Sequence, residues 1–175
     1  MKKNILWLLI LSFLISCNSP APLEYFSRCV LSTSYIEHFG AGEIRSILAL
    51  PPMVFNEKTK NLDSATYQKV IAEKIAVNKA SLDKIKALKE TTDAKNMMET
   101  SVGVYNLVIQ DQETKYMQLA KWKDEHQMND SLLFIKAIEL LDKDEKTVQN
   151  QLDLLWGYGK MYADHHQLDL SNTKK

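Results

Sequence analysis

The sequence is poor in the residues that punctuate β-sheet proteins, because only five of its 175 residues are glycine and four are proline. Lysine, glutamate, aspartate, leucine and alanine dominate, and that composition favours helix over sheet. No stretch alternates apolar and polar residues between turn signals, as half-buried strands do. The sequence therefore predicts an all-α fold.

Signatures of catalysis are also lacking. The sequence contains no Gly-x-Ser-x-Gly motif, no glycine-rich phosphate loop and no Cys-x-x-Cys pair. It has no Glu-x-x-His, the pair from which helical bundles build di-iron sites. Acidic residues are scattered over polar faces, as a solvated surface requires. We therefore expect a protein that is not an enzyme and uses no cofactor.

A net charge of either sign is missing as well, since 22 basic residues balance 22 acidic ones. Two of the lysines belong to the N-terminal leader described next, so the rest of the chain carries 20 basic and 22 acidic residues. Nucleic-acid binding depends on basic residues that neutralise phosphates. We expect no nucleic-acid partner.

The N-terminus has the pattern of a secretory leader. Lys2 and Lys3 form a basic region, and the residues from Ile5 to Ile15 are almost all apolar. This apolar run suits a signal peptide and is shorter than the ~20 residues that span a bilayer. It ends in Ser16, a small residue of the kind that precedes a cleavage site, and then in Cys17.

The string Leu14-Ile15-Ser16-Cys17 resembles the lipobox of bacterial lipoproteins. In that family the cysteine thiol is diacylated, the leader is cut before the cysteine, and the new amino group is acylated. The resemblance implies a cleaved leader over residues 1–16 and lipidation at Cys17. Several acyl chains, at ~0.8 kcal/mol per buried methylene, make a durable anchor. The alternative is an ordinary signal peptide in which the cysteine stands by chance.

The residues after Cys17 bear on location. Asn18 replaces the aspartate that retains such proteins in the inner membrane, so the resemblance implies sorting to the outer membrane. No acidic export run follows, which favours the periplasmic face. We predict a lipidated tether over 17–22, a helical domain over 23–170 and a disordered tail over 171–175.

Cys29 is then the only remaining thiol. A single thiol in an oxidising compartment cannot form a disulfide within its own chain. We predict that Cys29 is buried as a small apolar residue on the inner face of its helix. The alternative is a disulfide to another chain.

Apolar residues recur at helical spacing in four segments. The segments cover residues 23–39, 63–90, 93–127 and 130–166, and their predicted core stripes include Tyr105, Ile138 and Leu155. A short helical turn over 43–50 and a loop over 51–62 follow the first segment, and Asp63 or Ser64 is predicted to cap the second. Long helices with short links favour antiparallel neighbours, so we predict an up-and-down antiparallel bundle of about four helices. Gly157 and Gly159 leave open whether the fourth is continuous.

Two polar residues interrupt the apolar stripes of the third and fourth segments. If these segments are antiparallel about the 127–130 turn, paired positions sum to about 257, which places Gln112 opposite Glu145. Lys74 of the second segment reaches the same level. We predict a polar core layer of these three residues that fixes helix register. The alternative is the floor of a polar pocket.

The same register predicts a cluster of methionine and histidine. Met161 falls near Met97 and Met98, and His165 lies one turn further on. Thioether and imidazole together suit Cu(I), so these residues are a candidate copper site. The alternative is a set of core methionines beside a solvated helix end.

A binding surface is predicted at Trp156 and Tyr158, because the glycines at 157 and 159 allow a partner to approach closely. The alternative is that these aromatic residues belong to the core. We expect a membrane-anchored lipoprotein whose helical bundle binds another, unidentified envelope protein. Two alternatives remain: a periplasmic inhibitor or immunity-type lipoprotein, and a carrier of a small ligand or metal.

Overall fold

The computed structural model describes residues 20–170. The predicted leader, the lipidation site Cys17 and the predicted tail at 171–175 lie outside these residues. The fold is mostly helical and includes one two-stranded hairpin. Its elements are α1 (Pro22–Cys29), a 3₁₀ helix (Leu31–Tyr35), α2 (Ala41–Ala49), β1 (Met53–Asn56), β2 (Asn61–Ser64), α3 (Tyr67–Lys86), α4 (Lys95–Asp111), a π-helical segment (Gln112–Tyr116), α5 (Met117–Asp124) and α6 (Asp130–His165).

Three long helical segments, called rods below, form the body of the molecule. The first rod is α3 and the third is α6. The middle rod consists of α4, the π-helical segment and α5. An ion pair of 2.5 Å joins Lys79 of α3 to Glu113 of the middle rod. On the other side, an ion pair of 2.5 Å joins Lys123 of the middle rod to Asp130 at the start of α6. Asp124, the last residue of the middle rod, accepts the N–H of Tyr67, the first residue of α3, and the pair of Lys123 with Asp130 lies at the turn before α6. Neighbouring rods therefore run antiparallel.

The first segment is not one helix, because its polar side chains compete for backbone carbonyls. The Ser32 hydroxyl donates to the Arg28 carbonyl, and the Thr33 hydroxyl donates to the Val30 carbonyl, both at 2.6 Å. Such local bonds favour turns over regular α-helix. The chain therefore changes from α1 to a 3₁₀ helix, although Phe26, Cys29 and Ile36 are all fully buried.

The predicted loop over 51–62 is wrong, because most of it belongs to an antiparallel hairpin that pairs Met53 with Ser64 and Asn56 with Asn61. Asn56 shapes the turn: its side-chain oxygen accepts the N–H groups of Lys58 and Thr59. An asparagine side chain thus stabilises this turn, whereas other hairpins often rely on glycine. The sequence has no glycine there to signal a turn.

The hairpin also moves the start of the second long helix. Asp63 and Ser64, the predicted caps, lie in β2, and α3 begins at Tyr67 with Thr66 as its cap. The Asp124 carboxylate accepts the N–H of Tyr67 at 2.8 Å. A negative group at this end of a helix is stabilising, because it meets unpaired N–H groups and the positive end of the helix dipole.

The fourth long helix, α6, passes through both glycines without a break. Gly159 permits close packing against α1, since a Cβ atom there would lie 2.7 Å from Cγ2 of Val30. Ile138, which the helical stripe placed in the core, is 42% exposed, and Ala137 is buried instead. Among residues 20–170, no helix combines the length and apolar character needed to cross a bilayer.

Candidate functional site

The three residues of the predicted polar core layer lie in two separate parts of the structure. Gln112 is fully buried, and its side-chain oxygen accepts a hydrogen bond of 2.9 Å from Asn78 of α3. Glu145 is exposed and does not meet Gln112, and Lys74 is half-buried at a different contact. The pairing of Gln112 with Glu145 is therefore wrong.

The π-helical segment explains this error. Its wider turns depart from the 3.6-residue repeat on which the predicted register depended. Gln112 turns towards α3, and Lys115 is the residue that meets α6, where it pairs with Asp144. Hydrogen bonds to Asp111 and Asp144 raise the pKa of Lys115 despite the opposing effect of burial.

Lys74 and Glu145 meet the start of α2 from opposite sides. Lys74 forms an ion pair of 2.6 Å with Glu43, and Glu145 accepts the N–H of Ala41 at 3.0 Å. The Tyr116 hydroxyl accepts the N–H of Gly40 at 2.8 Å and lies 2.9 Å from the Gly40 carbonyl oxygen. These contacts fix where α2 begins and hold it against the rods.

An apolar groove of about 500 Å³ lies between α2 and the first turns of α6. Its buried floor is formed by Ile44 and Leu48 of α2 and by Leu133 and Ala137 of α6. Ile135 lines the rim and is 51% exposed. The groove is thus an opening onto the core.

The apolar surface continues beyond the groove. Leu132 and Ile138 stand three residues before and after Ile135 and therefore neighbour it on the helix surface. Both are 42% exposed. Leu50, directly after α2, is 65% exposed. Contiguous exposed apolar side chains mark interaction sites in soluble proteins, whereas isolated ones need no explanation.

Two charged residues line the groove, Arg45 and Asp130, and Asp130 is paired with Lys123. The guanidinium carbon of Arg45 lies 4.4 Å from the centre of the Phe134 ring, a cation–π contact. Within residues 20–170, no carboxylate forms an ion pair with Arg45. The rim therefore presents a positive charge that is available to a ligand.

The structure places the predicted aromatic surface beside α1. Trp156 is 43% exposed and meets Phe26 edge to face, with ring centres 6.3 Å apart. Tyr158 is half-buried and packs against the core. The group that packs on Gly159 is α1 of the same chain. The binding of another protein at Trp156 and Tyr158 stays a prediction.

The predicted copper ligands are only partly brought together. Met97, Met161 and His165 line one cleft, and Met98 is not among its lining residues. Met97 is buried, whereas Met161 is 68% exposed. His165 instead lies in a cluster with Asp93 and His166, and the ligating atoms of these three residues all lie within 4.8 Å of one another.

Sequence reasoning missed Asp93 and His166, although a signal was present. In the predicted antiparallel register, the numbers of paired positions sum to about 257, which places residue 93 opposite residues 164–166. The groove also had a signal, because Leu132 and Ile135 are apolar residues outside the predicted core stripe.

The comparisons with known proteins give no family: neither the scan of family models nor the searches of curated proteins and solved structures found a match.

Proposed function

We propose that this protein is a membrane-anchored bacterial lipoprotein whose helical domain binds another envelope protein and performs no catalysis. The groove between α2 and α6 carries the proposal, because it leaves core side chains accessible at one end of the molecule. The anchor is the lipid on Cys17, and the location is the periplasmic face of the outer membrane. No nucleic acid takes part.

The occupant that suits the groove is an amphipathic helix of the partner. Such helices place apolar side chains at positions i, i+3 or i+4, and i+7 into a groove between helices. The apolar floor would receive these side chains. The partner helix would also carry an acidic residue opposite Arg45, because a charge at the rim selects partners and orients their approach.

The position of the groove supports this function. Tyr25 of α1, three residues after the tether, packs against Tyr162 near the end of α6, with ring centres 6.2 Å apart. A helix rises 1.5 Å per residue, so about 40 Å of α6 separate Tyr162 from Ile135. The groove therefore lies at the end of the domain away from the anchored chain terminus.

We also propose that the domain is an up-and-down bundle of four segments, the first of which is broken. The Tyr25 hydroxyl donates to the Lys89 carbonyl, which supports an antiparallel order of the first and second segments. The Ser101 hydroxyl donates to the Cys29 carbonyl, and the Gly40 N–H donates to Tyr116. These two contacts support a parallel order of the first and third segments.

Comparative capture tests the binding function. The whole lipidated chain, solubilised in detergent, is used as bait for envelope extracts as wild type, Ile135→Glu and Val77→Glu. Val77 is a matched control because it is an aliphatic residue of α3 that is 48% exposed and lies outside the groove. We expect one envelope protein to be enriched by wild type and Val77→Glu and lost with Ile135→Glu. Equal enrichment by all three baits would reject the groove.

The anchor is tested separately with Cys17→Ser. This variant should accumulate as a precursor that keeps its leader, because the modification that precedes cleavage is blocked. Normal maturation and membrane retention of the variant would contradict lipidation.

A further inference from the structure

We infer that Asp93, His165 and His166 form a binding site for a borderline divalent cation such as Zn²⁺. The site lies at the end of the bundle where α1 begins, far from the groove, and the inference does not depend on the proposed function. It also replaces the predicted copper site, since it uses one of the same residues with different partners.

The ligating atoms converge from two distant parts of the chain. Nε2 of His166 lies 2.5 Å from Oδ2 of Asp93, and the ring centres of the two histidines are 4.9 Å apart. His165 is the last residue of α6, and His166 caps it with φ −94° and ψ 6°. The departure from helical geometry lets adjacent histidines face one carboxylate, although adjacent residues of a regular helix point in different directions.

The protein holds these ligands in place before any ion binds. The His166 ring packs on Tyr162 with centres 4.3 Å apart, and its backbone N–H donates to the Tyr162 carbonyl. The Asp93 carboxylate is held by side-chain hydrogen bonds from Thr91 and with His166. Support of this kind reduces the ordering that binding would otherwise require.

The donor set selects the ion. Imidazole and carboxylate suit Zn²⁺, Cu²⁺ and Ni²⁺, and three protein ligands plus a solvent position are typical of an open zinc site. Tetrahedral bonds of ~2.0–2.1 Å put ligand atoms ~3.3 Å apart. The present spacing requires only small side-chain rotations, with Asp93 and His166 separating slightly and His165 moving inward.

The adjoining cleft has room for the fourth ligand. It has a volume of about 310 Å³ and is lined by residues that include Asn96 and Met161 beside Asp93 and His165. Met97, the other methionine of the cleft, is 1% exposed. A Cu(I) site built on both thioethers would need that core residue to leave its packing, which favours the ligand set of nitrogen and oxygen.

A simple ion pair between Asp93 and His166 is the competing explanation. It accounts for one histidine and gives no role to His165, which is exposed and yet stays within 4.8 Å of both other groups. An ion accounts for all three. The two explanations therefore differ in what they predict for His165.

The experiment titrates ZnCl₂ into the whole chain, purified in detergent with an affinity tag that contains no histidine. Calorimetry compares wild type with Asp93→Asn, His165→Ala and His166→Ala. His38→Ala is the control, because the His38 side chain is 81% exposed and lies outside the cluster. We expect one Zn²⁺ per chain, affinity reduced more than about tenfold in each ligand variant, and unchanged affinity in His38→Ala.

Nitrogen-15 NMR of the imidazole rings in the wild type provides a second readout that does not depend on a variant folding. Zn²⁺ should shift the His165 and His166 resonances and leave those of His38 and His126 in place. Absence of binding, or shifts spread over all four histidines, would overturn the site. Equal affinity of Asp93→Asn and His38→Ala would also overturn it.

Discussion

The two ends of the domain differ in how they close the core. At the end where α1 begins, Phe26 and Val30 pack directly onto Gly159, so α1 covers α6 closely. At the other end, α2 stops at Ala49, because Leu50 precedes Pro51 and cannot continue the helix comfortably. The early turns of α6 extend beyond it, and the groove remains. A pair of prolines thus decides where the core is left accessible.

Under the proposed function, this difference separates stability from binding. The closed end contributes buried area, hydrogen bonds and close packing, whereas the open end keeps apolar residues in contact with water at a cost that only a ligand removes. The two ends should therefore respond differently to substitution.

The rate at which a reagent labels Cys29 tests how well the core is closed at the end of the domain where α1 begins. Its thiol is fully exposed only when the domain opens, and burial raises the pKa of Cys29 to about 12, so the reactive thiolate is scarce in the folded state at pH 8. A thiol reagent should label the folded protein at least ~10³-fold more slowly than the urea-unfolded protein. Similar rates would show that this end opens freely, and would favour a disulfide between chains.

Gly40→Ala should weaken the joint between the first segment and α2. Gly40 has φ 141° and ψ −168°, a conformation that only glycine adopts readily, and an added Cβ would overlap the Glu145 carboxylate. We expect a loss of about 2–4 kcal/mol in the free energy of unfolding by urea. Gly42→Ala is the control, since no atom lies within 4 Å of its added Cβ; a similar loss there would contradict the explanation.

Gln112→Leu should lower the free energy of unfolding by ~1–3 kcal/mol, because the Asn78 side chain would stay buried without its hydrogen-bond partner. The double variant with Asn78→Leu should recover much of the loss, since two apolar groups then meet. Urea denaturation of the single and double variants forms the test. A neutral single variant would mean that Gln112 does not depend on Asn78.

Gly159→Ala and Gly157→Ala compare two faces of the same helix. An added Cβ at Gly159 would lie 2.7 Å from Val30, whereas none lies within 4 Å at Gly157. We expect Gly159→Ala to lower the free energy of unfolding by about 1–2 kcal/mol through crowding. Gly157→Ala should raise it by about 0.5–1 kcal/mol, because alanine has the higher helix propensity. Thermal unfolding of both variants measures the contrast. Two stabilised variants would show that α1 is loosely packed.

Apolar periodicity predicted the long helices well, because burial of one face is a repeated signal along many turns. Tyr105 and Leu155 illustrate this: each falls on a predicted stripe and is fully buried. The hairpin was missed because its turn uses Asn56 rather than glycine. Short local signals of that kind are easily outweighed by overall composition.

The site features depended on geometry that periodicity does not contain. The π-helical segment turned Gln112 towards α3, so a register assumed for regular helices gave the wrong partner. The cluster of Asp93 with His165 and His166 requires a turn at the end of α6 that the apolar pattern does not specify. By contrast, the burial of Cys29 followed directly from its place in the first apolar stripe.

Photo-crosslinking in living cells tests the central claim most directly. A photoreactive phenylalanine is placed at Ile135 in the groove or at Met161 at the closed end, two positions that are 51% and 68% exposed. We expect a discrete adduct with one envelope protein from position 135, which Arg45→Glu abolishes, and no such adduct from position 161. The same adduct from both positions, or from position 161 alone, would contradict it.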